Sequence, residues 1–362
     1  MSLSVAGVNR SSGGVSLKDI RLEIRSGEYF VLLGPTGAGK TMLLETIMGI
    51  RRQDSGKIVL DGADITDMPT ERRGIGYVPQ QSLLFPHMSV RRNVEFGLRI
   101  RSAPMAEMRA RTDSVLAELG MLGLADRSPA SLSGGETQKA ALARAMVIEP
   151  RIVLLDEPLS AMDPETRHTL RAYLKRKQAE AGTSFLHVTH DQIEAFSMAN
   201  RMALIRGGII MQTGSPREIF SSPKNEFVAR FLGYENIFEG QQAPGADGLI
   251  SVDIGGAVIK APAGSAKGEG SRCVLGIRAD EIAISEEPDR ESANSLKGII
   301  EGYAELGAIV KVSVRIEMGA LILVALMVNA FIGAGLDRGK TVWISFSPGS
   351  VKIIAAGSAL TG

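Results

Sequence analysis

A glycine-rich segment near the N-terminus has the residue types and spacing of a phosphate-binding loop. It matches the pattern G-x-x-x-x-G-K-[ST] and lies between a predicted strand and a predicted helix. Glycines let successive backbone N–H groups turn toward an anion, and the helix N-terminus adds partial positive charge. The loop residues are Gly34, Pro35, Thr36, Gly37, Ala38, Gly39, Lys40 and Thr41. They predict a nucleotide site in which Lys40 contacts the β- and γ-phosphates and the Thr41 hydroxyl holds Mg²⁺.

Two adjacent carboxylates follow a second apolar run. Residues 152–155 form a continuous apolar segment typical of a strand buried on both faces, and Asp156 and Glu157 come directly after it. At such a strand end, Asp156 can supply a carboxylate to Mg²⁺. Glu157 can then act as general base toward the attacking water. A strand that ends in Asp-Glu is common by itself, but together with the loop at 34–41 it predicts hydrolysis of a nucleoside triphosphate.

The segments around these motifs predict alternating strands and helices. Residues 17–33 predict two strands, and residues 90–148 predict a mainly helical region with glycine breaks. Pro164–Ala181 predicts a helix, Ser184–Thr189 a strand and residues 191–199 a further helix. Strands that alternate with helices indicate a mainly parallel α/β sheet with a helical insertion.

The composition excludes several classes of protein. The 362 residues carry 41 Lys and Arg against 40 Asp and Glu, and a formal net charge of +1 argues against a strongly basic nucleic-acid binder. The single cysteine, Cys273, cannot form an internal disulfide and fits a reducing compartment. The first residues lack the charged-then-apolar pattern of a secretory signal, so we do not expect a secreted protein.

The C-terminal third of the chain has a different composition from the rest. Residues 241–272 are rich in Gly, Ala and Pro, and from Cys273 onward strand-length apolar runs alternate with turns. We therefore expect an all-β domain over residues 235–362. It follows a nucleotide-binding domain over residues 1–234, whose helical subdomain spans about 83–148.

One uncharged stretch raises the question of a membrane span. Residues 318–336 read MGALILVALMVNAFIGAGL, which is near the length that crosses a bilayer as a helix. Asn329 and three glycines argue against a span, and the flanking segments 308–314 and 341–346 have the pattern of strands. We expect two buried strands joined by a turn near Asn329.

A short motif before the Asp156 strand identifies a family. Residues 132–136 read Leu-Ser-Gly-Gly-Glu and precede a predicted helix. They match the signature motif of the ATP-binding-cassette (ABC) ATPases, and the chain resembles that family. In these proteins the signature contacts the γ-phosphate of a nucleotide held by the opposite subunit. The resemblance implies such contacts for Ser133, Gly134, Gly135 and Glu136.

Three further segments follow the order of motifs in this family. Gln80 matches the glutamine that reaches Mg²⁺ or the lytic water, and His190 matches the switch histidine that contacts the γ-phosphate. Residues 160–163 match the D-loop with Met in place of Leu, which implies a nucleotide contact for Asp163. His187, three residues before His190, is interpreted as a surface or turn residue without a chemical role.

The resemblance has two departures. ABC ATPases usually carry an aromatic residue that stacks on adenine, but the matching residues 9–14 contain none. The guanidinium of Arg10 is a candidate replacement. Lys139 replaces the arginine that is common after the signature, which keeps the charge but loses the planar fork.

The resemblance implies a fold, cofactors and partners. The expected fold is an α/β P-loop NTPase of the ABC type with a helical subdomain, followed by an all-β oligomer-fold (MOP/TOBE-like) domain. The expected cofactors are ATP and Mg²⁺. Because the signature serves the opposite subunit and the chain has one cassette, a homodimer is implied. Further expected partners are integral-membrane permease subunits and, indirectly, an extracytoplasmic solute-binding protein, with no nucleic acid. The implied location is peripheral, on the cytoplasmic face of the cell membrane.

The cassette resembles most closely the ATPases of molybdate/tungstate importers, so a small oxyanion is the expected cargo. Importers of sulfate, ferric iron, polyamines or sugars share the motifs and remain alternatives, as does an intracellular oxyanion-binding module. The C-terminal domain over residues 235–362 is called the tail below. In the related domains that bind oxyanions, a lysine lies near the end, but residues 347–350 of this tail contain no lysine. Ser295 and Ser350 are candidate anion donors, and a purely structural dimerisation domain is an equal alternative.

Overall fold

The computed structural model describes residues 2–81, 83–160, 162–245, 248–263, 270–317 and 319–354. The chain forms two compact units that divide between Arg217 and Glu218. Ala161 of the predicted D-loop and Met318 of the uncharged stretch lie outside the described residues. The composition-based division at residue 235 stays a prediction.

Strands and helices alternate along the first unit. Its elements are β1 (Ser2–Ser12), β2 (Val15–Arg25), β3 (Tyr29–Leu33), α1 (Lys40–Met48), β4 (Ser55–Leu60), β5 (Ala63–Asp64), β6 (Gly76–Val78), α2 (Val90–Ile100), α3 (Met105–Glu118), α4 (Gly134–Met146), β7 (Ile152–Asp156), α5 (Pro164–Ala181), β8 (Ser184–Thr189), α6 (Gln192–Met198), β9 (Arg201–Arg206) and β10 (Ile209–Gly214). A short helix, α7 (Pro216–Ser221), crosses the division.

A six-stranded sheet forms the centre of the first unit. Its strand order is β10-β9-β3-β8-β7-β6, in which β10 is antiparallel to β9 and the other pairs are parallel. Every residue of β3, β7 and β8 is buried, as expected for strands covered on both faces. The predicted mainly parallel α/β sheet with a helical insertion is confirmed.

A second, antiparallel sheet covers one side of α1. Its order is β2-β1-β4-β5. One hydrophobic core joins this sheet to α1 and to the central strands, with Val5, Ile20, Leu43 and Leu154 among its buried members. The helix that follows the phosphate-binding loop is thereby fixed between two sheets. The sequence did not predict β1, whose glycine and serine content weakens its strand signal.

The second unit is built almost wholly of strands. Its elements are α8 (Glu226–Phe231), β11 (Asn236–Pro244), β12 (Leu249–Asp253), β13 (Val258–Pro262), β14 (Arg272–Ile277), β15 (Ala283–Ser285), β16 (Asn294–Leu306), β17 (Ile309–Ile316), β18 (Leu321–Met327), α9 (Val328–Gly333), β19 (Thr341–Phe346) and β20 (Lys352–Ile354). They form two five-stranded antiparallel sheets, β13-β12-β11-β14-β20 and β15-β19-β16-β17-β18, with a shared hydrophobic core.

The structure corrects the expectation for residues 318–336. The first half is a strand, β18, but the second half forms the helix α9, which contains Asn329. The predicted second strand with a turn at Asn329 is therefore wrong. Uncharged runs of this length do not distinguish strand from helix, and α9 buries a single large side chain, Phe331. Among the described residues, no helix is long and apolar enough to cross a membrane.

Candidate functional site

The loop after β3 is shaped by glycine at two positions. Gly39 has φ +97° and forms the N-cap of α1, a conformation that disfavours any residue with a Cβ. At Gly34 a Cβ would lie 2.4 Å from the carbonyl oxygen of Ile205 in β9. The loop tip at Thr36 and Gly37 is exposed, whereas Ala38 is buried. Because α1 begins at Lys40, the N–H groups of its first turn lie at the loop.

Lys40 lies across this loop and is 6% exposed. Its Nζ donates to the carbonyl oxygens of Gly34 and Pro35, both at 2.9 Å, and lies 3.9 Å from Oε1 of Glu157. Burial lowers the pKa of Lys40, while Glu157 and Asp156 oppose that shift. The ammonium group is therefore held between the loop backbone and the carboxylates at the end of β7.

Asp156 is a buried carboxylate beside Thr41 and Lys40. The residue is 1% exposed, and neither Oδ1 nor Oδ2 accepts a hydrogen bond from the described residues. Burial raises the pKa of Asp156, the neighbouring Thr41 and Lys40 oppose the rise, and Glu157 adds to it. Burying an unpaired carboxylate is costly, so its oxygens are suited to a cation that is not part of the chain.

Glu157 is the point at which the predicted catalytic residues meet. Its Oε1 lies 3.0 Å from Nδ1 of His190, and its Oε2 accepts from Nε2 of Gln80 at 3.5 Å. Its backbone has φ +46°, a strained value for a residue other than glycine, and its N–H donates to the carbonyl oxygen of Val188 at 2.9 Å. The conformation is thus fixed by β8.

Adjacent strands bring these groups together. The four strands are neighbours in the order β3-β8-β7-β6. The loop with Lys40 follows β3, and His190 follows β8. The Asp156–Glu157 pair lies at the end of β7, and Gln80 lies two residues beyond β6. Ligands of open α/β sheets bind at this edge, formed by the carboxyl ends of the strands. The arrangement can hold a polyphosphate against a lysine and present a carboxylate to a water molecule.

The signature residues form the start of α4. Ser133 is the N-cap, and Gly134 and Gly135 are the first two helical residues. The backbone N–H of Ser133 donates to Oε2 of Glu136 at 2.7 Å, and Ser133 Oγ accepts from the N–H of Glu136 at 3.3 Å. These bonds form a capping box and lower the pKa of Glu136. A Cβ on Gly134 would meet nothing within 4 Å, so its own chain does not require glycine there.

Asp163 and Arg10 also make local contacts. The Asp163 side chain accepts from the backbone N–H of Thr166 at 2.9 Å and caps α5, which lowers its pKa. Arg10 in β1 donates through Nη1 to Oδ1 of Asp54 at 2.9 Å. Its guanidinium is therefore tied to the neighbouring β4 end, and an adenine contact by Arg10 stays a prediction.

Sequence reasoning missed a buried polar group behind His190. His187, expected at the surface or in a turn, is 0% exposed, so that interpretation is wrong. It lies inside the wholly buried strand β8 and contacts Tyr29 and Glu194. The signal was present in the run SFLHVT, where a histidine interrupts an otherwise buried strand pattern.

Ser347 of the 347–350 segment lies in an acidic cavity, which the candidate donors Ser295 and Ser350 do not line. Ser347 begins a short 3₁₀ turn over Pro348–Ser350 and accepts from the N–H of Gly349 at 3.0 Å. Ser347 and Pro348 line a cavity of about 500 Å³, whose charged lining residues are Glu281, Asp289 and Glu291. Ser295 Oγ is buried and has no hydrogen-bond partner among the described residues. The charge of this cavity is thus negative.

Comparison with known proteins identifies the family. The model of the ABC transporter family matches residues 17–160, and that of the TOBE domain matches residues 275–354. The molybdate/tungstate import ATP-binding protein WtpC of Pyrococcus horikoshii is 39% identical over 353 residues, which cover 97% of this chain and 99% of WtpC. The chain belongs to the ABC transporter family. It is an ABC importer ATPase that binds ATP and carries a C-terminal TOBE domain.

The relatives of this ABC ATPase include proteins named for two different cargoes. WtpC of Thermococcus kodakarensis is 42% identical over 85% of this chain and 92% of that protein. The spermidine/putrescine import ATP-binding protein PotA of Thermobifida fusca is 37% identical over 92% of this chain and 87% of that protein. The dimeric post-hydrolysis structure of the cassette MJ0796 bound to ADP and Pi matches with a TM-score of 0.55 and 29% identity. The match covers 59% of this chain and 99% of MJ0796.

Proposed function

We propose that this ABC ATPase powers the uptake of molybdate or tungstate. The similarity to the WtpC proteins carries the proposal, because it extends at 39–42% identity through both the cassette and the tail. Polyamine import is the second candidate, since PotA proteins are 37–39% identical over 83–92% of the chain. An ATPase of this kind does not touch the cargo, so its nucleotide motifs do not discriminate the two.

Uptake measurements in the source organism test this proposal. A chromosomal Glu157→Gln substitution should abolish uptake of labelled molybdate or tungstate and leave uptake of labelled sulfate and spermidine unchanged. Loss of spermidine uptake instead would replace the proposal by the polyamine alternative. If none of these labels lost its uptake, both candidates would be wrong. The wild-type strain and a Glu118→Gln strain serve as controls, because Glu118 pairs with Arg176 and Lys177 outside the nucleotide site.

The loop and the strand ends supply the groups that this hydrolysis needs. Lys40 and backbone N–H groups within residues 36–41 bind the phosphates, and Thr41, Gln80 and Asp156 would hold Mg²⁺. The unpartnered buried oxygens of Asp156 suit that ion, and the described residues contain no cluster of three or more His, Cys, Asp or Glu that could hold a metal without the nucleotide. The ion neutralises phosphate charge when bound.

Glu157 performs the proton transfer in the proposed mechanism. Its carboxylate takes a proton from the attacking water, while the Gln80 side chain orients that water. The water oxygen bonds to the γ-phosphorus as the bond from that phosphorus to ADP breaks. His190 contacts the γ-phosphate and, through Nδ1 at 3.0 Å, fixes one oxygen of Glu157. The strained backbone of Glu157 and its bond to Val188 keep the carboxylate at the strand end, so little reorganisation is needed.

The proposed active unit is a homodimer that encloses two ATP molecules. The hydrogen bonds of Ser133 and Glu136 run within α4 and its cap. The N–H groups of Gly134 and Gly135 at the helix start would bind the γ-phosphate of the ATP held by the opposite subunit. Asp163 would contact the nucleotide from the D-loop. ATP binding then closes the dimer, and hydrolysis reopens it. The dimeric MJ0796 structures support this arrangement.

The loop after Gln80 is the proposed contact with the permease subunits. Leu83 is 70% exposed, whereas Phe85 packs against Phe96 with ring centroids 4.6 Å apart and under the guanidinium of Arg144 at 5.3 Å. Leu83 is thus an exposed apolar side chain two residues before a packed aromatic ring. We infer a peripheral location on the cytoplasmic face of the membrane, with the solute-binding protein contacted only through the permease.

We expect the tail to be structural and not an oxyanion sensor. The cavity at Ser347 is lined by Glu281, Asp289 and Glu291, so the part of the 347–350 segment that lines it repels an anion. Calorimetric titration of the full-length protein with molybdate, tungstate and sulfate should show no specific binding up to roughly millimolar anion, a concentration at which binding would be worth only about 4 kcal/mol. Tight molybdate binding that Ser295→Ala or Ser350→Ala removes would establish an anion site instead.

A further inference from the structure

A buried pair of polar side chains lies directly behind His190 and has no part in the steps above. Thr189 ends β8 and is 2% exposed, and Glu194 in α6 is 3% exposed. The Thr189 hydroxyl donates to Oε2 of Glu194 at 2.7 Å and accepts from the backbone N–H of Asp191 at 3.0 Å. One hydroxyl group therefore ties together the residues on both sides of His190.

Glu194 connects this hydroxyl to other elements of the cassette. Its Oε1 lies 3.7 Å from Nη2 of Arg171 in α5, and its Oε2 lies 3.4 Å from Nε2 of His187. Nδ1 of His187 lies 2.9 Å from the hydroxyl oxygen of Tyr29, the first residue of β3. The polar group thus extends from the turn at His190 to the strand that carries the phosphate-binding loop.

Because Thr189 and Glu194 are buried, loss of their hydrogen bond would leave a polar group without a partner. Burial opposes ionisation of Glu194, but His187, Thr189 and Arg171 outweigh it, so the pKa of this carboxyl lies below its ordinary value. Glu194 is therefore an ionised, fixed acceptor. No bulk water reaches the pair to replace a lost partner, because both residues are nearly fully buried.

We propose that Thr189 and Glu194 are positioning residues that hold His190 against Glu157. The inference rests on the proposed role of His190 in hydrolysis. The His190 side chain is 52% exposed, yet its Nδ1 lies 3.0 Å from Oε1 of Glu157. A side chain with so little packing around it depends on a fixed backbone for its position, and the Thr189 hydroxyl supplies that fixation from the buried side.

Thr189→Val and Thr189→Ser form the test pair. Valine keeps the shape but removes the hydroxyl, so we expect kcat for ATP to fall about tenfold with KM within about twofold, since the phosphate-binding loop is unchanged. Serine keeps the hydroxyl and should retain most of the wild-type kcat. Phosphate release by the full-length protein measures both values, at a temperature well below the Tm of every variant.

Two comparisons separate positioning from a general effect on the fold. Thr112→Val changes another fully buried threonine, in α3, whose hydroxyl has no hydrogen-bond partner in the described part of the chain, and it should leave kcat unchanged. If Thr189 acts through His190, Thr189→Val should have no further effect in a His190→Ala background.

The possible failures are distinguishable. If His190→Ala lowers kcat but Thr189→Val does not, the positioning role is overturned and the proposed mechanism stands. A Thr189→Val loss that persists undiminished on top of His190→Ala would also overturn it. If His190→Ala itself left kcat unchanged, the proposed role of His190 would be wrong, and the positioning role that rests on it would be overturned as well.

Discussion

Glu157→Gln should lower the ATPase kcat at least a hundredfold and leave ATP affinity within a few-fold of wild type. General-base catalysis contributes about 10²–10⁴-fold, and an amide cannot accept the proton of the attacking water. Glutamine keeps the shape of the side chain at the strained position beside Gln80 and His190. Binding by Lys40 and the loop is therefore preserved. Phosphate release and equilibrium ATP titration measure the two effects.

The same variant should reveal the dimer. If hydrolysis reopens an ATP-closed dimer, Glu157→Gln should accumulate as a dimer with Mg²⁺ and ATP but not with ADP, which light scattering after size exclusion measures. Glu118→Gln is the matched control, because this carboxylate pairs with Arg176 and Lys177 away from the site. It should hydrolyse ATP at the wild-type rate. A Glu157→Gln protein with near wild-type turnover would show that another group takes the proton.

Local sequence patterns were sufficient for β3, β7 and β8 and for the residues that follow them, but β6, which precedes Gln80, was not predicted. Lys40, Asp156, Glu157 and His190 each follow a short apolar run, and a parallel sheet brings the carboxyl ends of such runs to one edge. The signal is local because each loop depends on the strand before it. The predicted α/β architecture was correct for the same reason.

Long-range pairing and burial could not be predicted in this way. β1 gains its strand conformation from pairing with β2 and β4, which its own residues barely signal. His187 is buried in contact with Tyr29 and Glu194. Tyr29 lies far from His187 in the sequence, so a local pattern does not reveal this contact. The uncharged stretch at 318–336 contains both β18 and α9, and hydrophobicity alone does not distinguish a strand from a helix in such a run.

Asp156 creates a conflict between stability and function that a single substitution should expose. The folded protein buries its carboxylate at 1% exposure, and burial raises its pKa although Thr41 and Lys40 oppose the rise. A raised folded-state pKa means that the ionised form is less favourable in the folded than in the unfolded chain at neutral pH. Removal of the charge should therefore stabilise the nucleotide-free protein.

We expect Asp156→Asn to raise the Tm of the nucleotide-free protein by a few degrees, because burial of the charge costs about 1–2 kcal/mol. The variant should also lose at least about a hundredfold in Mg²⁺-dependent kcat, since an amide is a poor Mg²⁺ ligand. Wild type should gain more Tm than the variant from Mg²⁺ with a non-hydrolysable ATP analogue, so ligand reverses their order of stability. Thermal unfolding with and without that ligand measures the reversal.

Asp64→Asn is the control, because the pKa of Asp64 is shifted in the opposite direction to that of Asp156. Asp64 is exposed and accepts hydrogen bonds from Thr66, and these bonds with the Lys57 ammonium lower its pKa to about 2. Its charge therefore favours the folded state at neutral pH, and the substitution should not raise Tm or alter the ligand response. If Asp156→Asn also failed to raise Tm, the carboxylate would have a partner in solution. Stabilisation without loss of the Mg²⁺ response would instead remove Asp156 from the proposed metal site.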